Sequence, residues 1–384
     1  MPQSNISTWL AFALQQMAAE SYLDGIAPSN NDGIITRLKL GNNNPLLNDP
    51  GDLTLDGATR FVDLAGVPNA SQITGSAQVF VARYAIVDHH ANDSTGFSAT
   101  LMQERGTNNF TLSFRSLEYQ NQVDGGDWQR DGLPGAAGEI AGTGFALAQL
   151  VSMERYYREL KANPLLLPAG ATLNVTGYSL GAHLATVFTE LHANEIAATY
   201  TFNGAGRGRI IGGTAGLSDA DRIREMLQFA ESRLVAINPS WFASGNTGNV
   251  YGDQQYQAVR QDTFGTFSTT NSFLPPGEVG TTPGFDKITQ LVGLATHNDQ
   301  SYVANSGIHS SPTTIFIEDQ PNVDGLAGLF GQNGSFGTTH SLTLMVDSLA
   351  LMDLFQQVDG TLEQTTIERM LSREEKGVRS HCLS

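Results

Sequence analysis

Apolar residues recur at three- and four-residue spacing in some stretches of this chain and alternate or run together in others. "STWLAFALQQMAAESYL" predicts an amphipathic helix over 7–23. Residues 28–60 are dense in Asn, Asp, Gly and Pro and predict irregular loop, with one short strand at 34–40. "SQITGSAQVFVARYAIVDHH" predicts a helix that gives way to extended chain. Stretches 96–104 and 110–116 are strand-like, and "RGTNN" between them is a turn signal, so the pair predicts a hairpin. From 134 to 161 the spacing is that of one long helix, ending before Pro164.

A strand at 171–178, a helix at 181–195 and a strand at 197–205 follow. "LSDADRIREMLQFAES" (217–232) predicts a helix capped by Ser218 or Asp219, and "RLVAI" (233–237) a buried strand. Residues 238–312 are rich in Gly, Thr, Ser and Asn without clean periodicity, and fit a loop or lid insertion. "TTIFIED" (313–319) is a further strand, and 340–358 a strong amphipathic helix. Strands alternating with helices predict an α/β fold, a mainly parallel sheet flanked by helices. The expected organisation is an N-terminal helix and irregular extension over 1–95, a core over 96–360, and a tail over 361–384.

The composition narrows the function. With 384 residues, 40% of them hydrophobic, the chain can bury a sizeable core. Its 21 Lys and Arg against 38 Asp and Glu give a formal charge of −17. Such a surface repels phosphate backbones, which argues against a nucleic-acid partner. The single cysteine, Cys382, allows no intrachain disulfide. No apolar run is long enough for a transmembrane segment. The first residues lack a basic start followed by a compact apolar core, so no cleaved signal peptide is expected. The compartment is then either cytoplasmic or extracellular, the second reached without a cleaved signal.

Gly177-Tyr178-Ser179-Leu180-Gly181 matches G-x-S-x-G. A serine on a sharp strand-to-helix turn projects its hydroxyl above a sheet edge, and glycines two before and two after allow strand and helix to cross closely. Here the motif stands between a predicted strand and a predicted helix. The Leu180 amide is placed to donate to an oxyanion. A second donor has to come from an earlier strand end, and "SFRSLE" offers the amides of Ser116 or Leu117. The bland alternative there is a surface ion pair between Arg115 and Glu118.

A serine nucleophile needs a base. Of eight histidines, His183 and His192 lie on the helix after the serine, His89 and His90 precede it, and His381 is in the tail. In the chain order Ser, acid, His, the candidates are His340, His309 and His297, and His340 ranks first because it ends a Gly/Ser/Thr loop at a helix start. For the acid, Asp319 closes the strand "TTIFIED", at the strand end where a parallel sheet opens its crevice. Asp253 is its rival because it follows the strand expected at 233–237. Glu318, Asp262 and Asp324 are further candidates, while Asp347 and Asp353 read as solvated charges on the last long helix.

"NVTGYSLGAHLA" resembles the nucleophile elbow of the class 3 (fungal-type) lipases and of secreted bacterial lipases, an α/β-hydrolase family. The usual form has histidine at the position of Tyr178 and a second glycine at that of Ala182. "SFRSLE" resembles the family's strand ending Phe-Arg-Gly-Thr, with Ser116 and Leu117 in the last two places. "DWQRD" (127–131) and "TYTFNGAGRG" resemble segments that follow in the family. The resemblance spans roughly 97–238 and implies an α/β-hydrolase-like catalytic core, a Ser-His-Asp triad, and a lipid or other ester as substrate.

Within that class a triacylglycerol lipase competes with a phospholipase A1 and a short-chain esterase. A serine peptidase on the same fold and a non-catalytic domain of a large secreted protein are the other expectations. No organic cofactor is implied. Calcium on the stretch Asn30–Asp52 competes with a plain solvated loop, since no EF-hand spacing is present.

Overall fold

The structure is a computed structural model that describes residues 5–41, 77–117, 127–272, 282–294, 312–317 and 340–371. In chain order its helices are α1 (Asn5–Ala19), α2 (Asn31–Leu40), α3 (Ala77–Arg83), α4 (Trp128–Asp131), α5 (Ala136–Thr143), α6 (Leu147–Ala162), α7 (Leu180–Leu191), α8 (Asp219–Ile237), α9 (Gln254–Phe267), α10 (Leu342–Val358) and α11 (Gln364–Leu371). The strands are β1 (Tyr84–His90), β2 (Ala99–Glu104), β3 (Asn109–Phe114), β4 (Thr172–Tyr178), β5 (Ile196–Phe202), β6 (Arg209–Ile210), β7 (Thr269–Thr270), β8 (Ile288–Leu294) and β9 (Thr313–Phe316).

Among the described residues seven strands form one sheet in the order β1-β2-β3-β4-β5-β8-β9, and β6 pairs with β7 in a small ribbon. In the large sheet β2 is antiparallel to both neighbours, and every further pairing is parallel. Only β2 therefore runs against the rest. This is an α/β-hydrolase-like sheet, and the parallel strands all end at one edge, where a ligand crevice opens.

Consecutive residues of a strand face opposite sides, so one sheet feeds two cores. Leu101 packs with Leu112, Val175 and the buried residues of α6, α7 and α8. Its neighbour Met102 packs with α1, α10 and Ile315. The helices α6, α7 and α8 thus cover one face, and α1 and α10 the other.

Several elements differ from the sequence expectation. Residues 34–40 lie in helix α2, capped by Asn30, whose side chain accepts from Gly33 N. "RLVAI" is the last part of α8 and not a strand. Its Leu234 continues the buried line Ile223, Leu227 and Ala230, which settles the helical period. The long helix expected over 134–161 is two helices, broken where Gly144 adopts φ 83°. The stretch 238–312 contains the helix α9 and an interior strand of the sheet, β8. Trp241, inside the stretch read as a loop or lid insertion, is buried in the core. The sheet begins with β1, before residue 96, and 364–371 of the expected tail is helical. No helix among the described residues is long and apolar enough to cross a membrane.

Candidate active site

β4 ends at Tyr178 and α7 starts at Leu180, so Ser179 alone makes the turn between them, at φ 51° and ψ −113°. A side chain rarely adopts such a backbone, and its cost has to be met by surrounding contacts. Those contacts are visible. Ser179 N donates to Phe202 O at 3.0 Å, and Ala205 N donates to Ser179 O at 3.1 Å. The flanking glycines are sterically required. A Cβ on Gly177 would lie 2.2 Å from the Gly181 carbonyl oxygen, and one on Gly181 would lie 2.2 Å from that of Phe114. Strand and helix therefore cross with no room for a methyl group. The first amides of α7 are not used inside the helix, and its dipole adds partial positive charge beside the serine.

His340 is brought to this turn from 161 positions away, with Nε2 2.9 Å from Ser179 Oγ. It immediately precedes Ser341, whose hydroxyl caps α10 by accepting from Leu344 N. Burial pushes the His340 imidazole down to about 3, which leaves the ring neutral near pH 7. Its backbone carbonyl is gripped twice, by the Tyr178 hydroxyl at 2.6 Å and by the Asn203 side-chain amide at 3.1 Å. The Tyr178 and His340 rings lie 5.1 Å apart, centre to centre.

Of the amides expected at the oxyanion, that of Ser116 is already engaged. It donates to both carboxylate oxygens of Glu20, each at 3.2 Å. Leu180 directly follows the serine at the start of α7, and Leu117 is half-buried three residues beyond the end of β3. Arg115, which in the alternative reading pairs with Glu118 at the surface, is buried over the Tyr22 ring, 4.0 Å from its centre.

The other histidines have structural partners. His183 Nε2 accepts from Ala146 N at 3.2 Å, and Nδ1 lies 2.5 Å from Gly206 O, so the ring ties α7 to the start of α6. His192 sits between Glu154 and Glu195, His89 between Asp24 and Thr100, and His90 beside Asp93. His297, His309 and His381 lie outside the described residues.

Among the acids, Asp253 caps α9, with Oδ1 accepting from Gln255 N at 2.7 Å and Tyr256 N at 3.3 Å. The strand that would have put it at the sheet edge is part of α8, so that ground for Asp253 is gone. Asp262 is exposed on α9, 3.8 Å from Arg233. Asp347 is exposed on α10 as expected, but Asp353 is buried and accepts from Ser7 and Gln357. Glu318, Asp319 and Asp324 lie outside the described residues. Asp319 follows the described Ile317 by two positions, after a strand parallel to β8. No group of three His, Cys, Asp or Glu among the described residues is placed to hold a metal ion, and 42–52 of the proposed calcium stretch lies outside them.

Tyr178, Asn203 and Glu20 were not singled out from sequence as parts of this site. "FNG" does signal a turn at Asn203, and asparagine tolerates the left-handed backbone found there, φ 47°. Nothing local in the sequence signals that its side chain turns toward residue 340.

No known family profile matches the chain, and no curated protein matches it in sequence. Among solved structures it is similar to the Lip2 lipase of Yarrowia lipolytica, at 10% identity over 84% of this chain and 81% of that one, TM-score 0.35. It is also similar to a structure described as fungal lipases, at 14% identity over 90% and 98%, TM-score 0.39. A lipase from Rhizopus microsporus var. chinensis matches at 14% identity over 45% and 67%, TM-score 0.24.

Proposed function

We propose that the protein is a serine carboxylic-ester hydrolase acting on lipid acyl esters, with Ser179 as nucleophile and His340 as base. The supporting observation is the 2.9 Å approach of His340 Nε2 to a serine hydroxyl held on a strained strand-to-helix turn. With the imidazole neutral and its proton on Nδ1, Nε2 accepts the serine proton as Oγ attacks the ester carbonyl. The carbonyl oxygen takes the negative charge and is met by the amides of Leu180 and Leu117. Collapse breaks the bond to the alcohol oxygen, which leaves with the proton from His340. Water, deprotonated by the same imidazole, then attacks the acyl-enzyme and releases the carboxylic acid.

Asp319 is the proposed third member. What supports it is that the residue follows β9, which runs parallel to β8 in the same sheet as β4, and that catalytic carboxylates are commonly carried just after such strand ends. Lipid esters are chosen because the elbow and the segment "SFRSLE" at the end of β3 resemble those of lipases. A secreted location accompanies that choice.

The test is a series of p-nitrophenyl esters of increasing chain length, run beside a triacylglycerol emulsion and a phospholipid. A lipase prefers the long chains and cleaves the emulsion. Preference for the shortest ester replaces lipase with esterase, and cleavage of the phospholipid alone replaces it with a phospholipase. Asp319→Asn is expected to lose roughly four orders of magnitude in kcat, as when the histidine tautomer is left unfixed. Wild-type rate in that variant removes Asp319 from the triad.

A further inference from the structure

The approach of His340 to Ser179 depends on something outside the pair. The carbonyl of His340 lies just before the Ser341 cap of α10, so it takes no part in that helix's own hydrogen bonds. Two side chains reach it instead, the Tyr178 hydroxyl at 2.6 Å and the Asn203 amide at 3.1 Å. Both donors are neighbours of the nucleophile. Tyr178 immediately precedes Ser179 at the end of β4, and Asn203 immediately follows Phe202, whose carbonyl receives the Ser179 amide. Asn203 is itself fixed at its other end. Its N–H donates to Leu291 O at 2.9 Å, and its Oδ1 accepts from Gly293 N at 2.9 Å.

The histidine and the serine therefore hang from the same two strand ends, each within one residue of the other's anchor. We propose that Tyr178 and Asn203 are positioning residues that set His340 Nε2 over Ser179 by clamping the His340 carbonyl to the ends of β4 and β5. This rests on the assignment of Ser179 and His340 as nucleophile and base. It gives Tyr178 a chemical reason for standing inside the motif: an aromatic hydroxyl spans the gap to the carbonyl and lays its ring beside the imidazole. It also ties the Ser–His distance to the ends of β4 and β5.

Tyr178→Phe keeps the ring and removes only the donor. Asn203→Asp keeps the acceptor for Gly293 N and removes the donor toward His340 O. Each is measured for kcat and KM on one p-nitrophenyl ester, for the rate of fluorophosphonate labelling, and for Tm. A displacement of the base by an ångström or less predicts that kcat and the labelling rate fall together by roughly ten- to a hundredfold, with KM nearly unchanged. A merely structural role predicts that the rate loss vanishes once it is scaled to the folded fraction, and that result overturns the proposal. So does a kcat within about twofold of wild type in both variants. Wild-type protein that is folded but never labelled defeats the nucleophile assignment as well, whereas labelled wild type with unaffected variants defeats only the clamp.

Discussion

The backbone N–H of Ser116 is held by the carboxylate of Glu20, from 96 positions earlier in the chain, with both oxygens at 3.2 Å. Gln16 joins them, donating to Glu20 Oε1 at 2.7 Å and to Phe114 O at 2.8 Å, while its own oxygen accepts from Thr176. The N-terminal helix and the residues just after it thus clip the ends of two central strands from below. Glu20→Ala leaves two buried donors without this acceptor, and the expected loss is roughly 1–3 kcal/mol of unfolding free energy. Glu20→Gln retains an acceptor and loses less. Urea unfolding of the two variants checks the order; equal losses would show that the carboxylate's reach, and not its accepting oxygens, matters.

Gly177→Ala and Gly181→Ala each place a methyl group 2.2 Å from a backbone oxygen. Because the obstructing atoms are main chain, no side-chain rotation relieves the contact, and β4 and α7 have to separate. A destabilisation of roughly 1–3 kcal/mol is expected from the overpacking, with most of the activity lost. Differential scanning calorimetry beside an esterase assay decides it. A Tm unchanged in either variant contradicts the close crossing.

Two buried groups tie stability to pH in opposite directions. Burial pushes the Glu139 carboxyl up from 4.5 to about 7, against the pull of the Tyr256 hydroxyl and Arg260. The folded form holds a proton that the unfolded form has lost, so this contribution is complete below about 4.5 and disappears as pH rises through about 7. Burial also lowers His183 from 6.5 to about 4. Here the unfolded form binds the proton first, so stability falls as pH drops from 6.5 toward 4. Glu139→Gln is therefore expected to flatten the decline above about pH 5, and His183→Gln the decline below about pH 6. Urea midpoints across that range provide the comparison, and parallel curves for Glu139→Gln and wild type would refute the first part.

Arg207 and Glu190 form a fully buried bidentate pair, at 2.6 and 2.7 Å, that links the segment after β5 to α7. Removing one partner strands the other, so Arg207→Met is expected to cost roughly 3–5 kcal/mol. Arg207→Met with Glu190→Leu removes both charges and is expected to recover much of that loss. Chemical denaturation of the single and double variants tests this, and a double variant no more stable than the single would contradict it.

The elbow was legible because its signal is local: a strand, a serine between two glycines, and a helix lie consecutively. The β2–β3 hairpin was legible for the same reason, and His340 could be picked out because a Gly/Ser/Thr-rich sequence precedes a long amphipathic pattern. α2 and the end of α8 were misread where short apolar runs fit both periods. "IITRLKL" alternates well enough for a strand, and only the Asn30 cap and the buried pair Ile34 and Leu38 show the helix. The strand β8 was hidden in a polar, glycine-rich stretch. The roles of Glu20, Tyr178 and Asn203 were not legible, since each depends on a partner 96 to 162 positions away. Spacing along the chain carries no information about such contacts until the strand order is known.

The central claim is that Ser179 is a nucleophile activated by His340. The most direct measurement is mass spectrometry of the folded protein after treatment with a fluorophosphonate, in wild type, Ser179→Ala and His340→Ala. The predicted result is one adduct on Ser179 in wild type, none in Ser179→Ala, and labelling slowed by roughly a thousandfold or more in His340→Ala. Folded wild-type protein without an adduct on Ser179, or His340→Ala labelled at the wild-type rate, would contradict it.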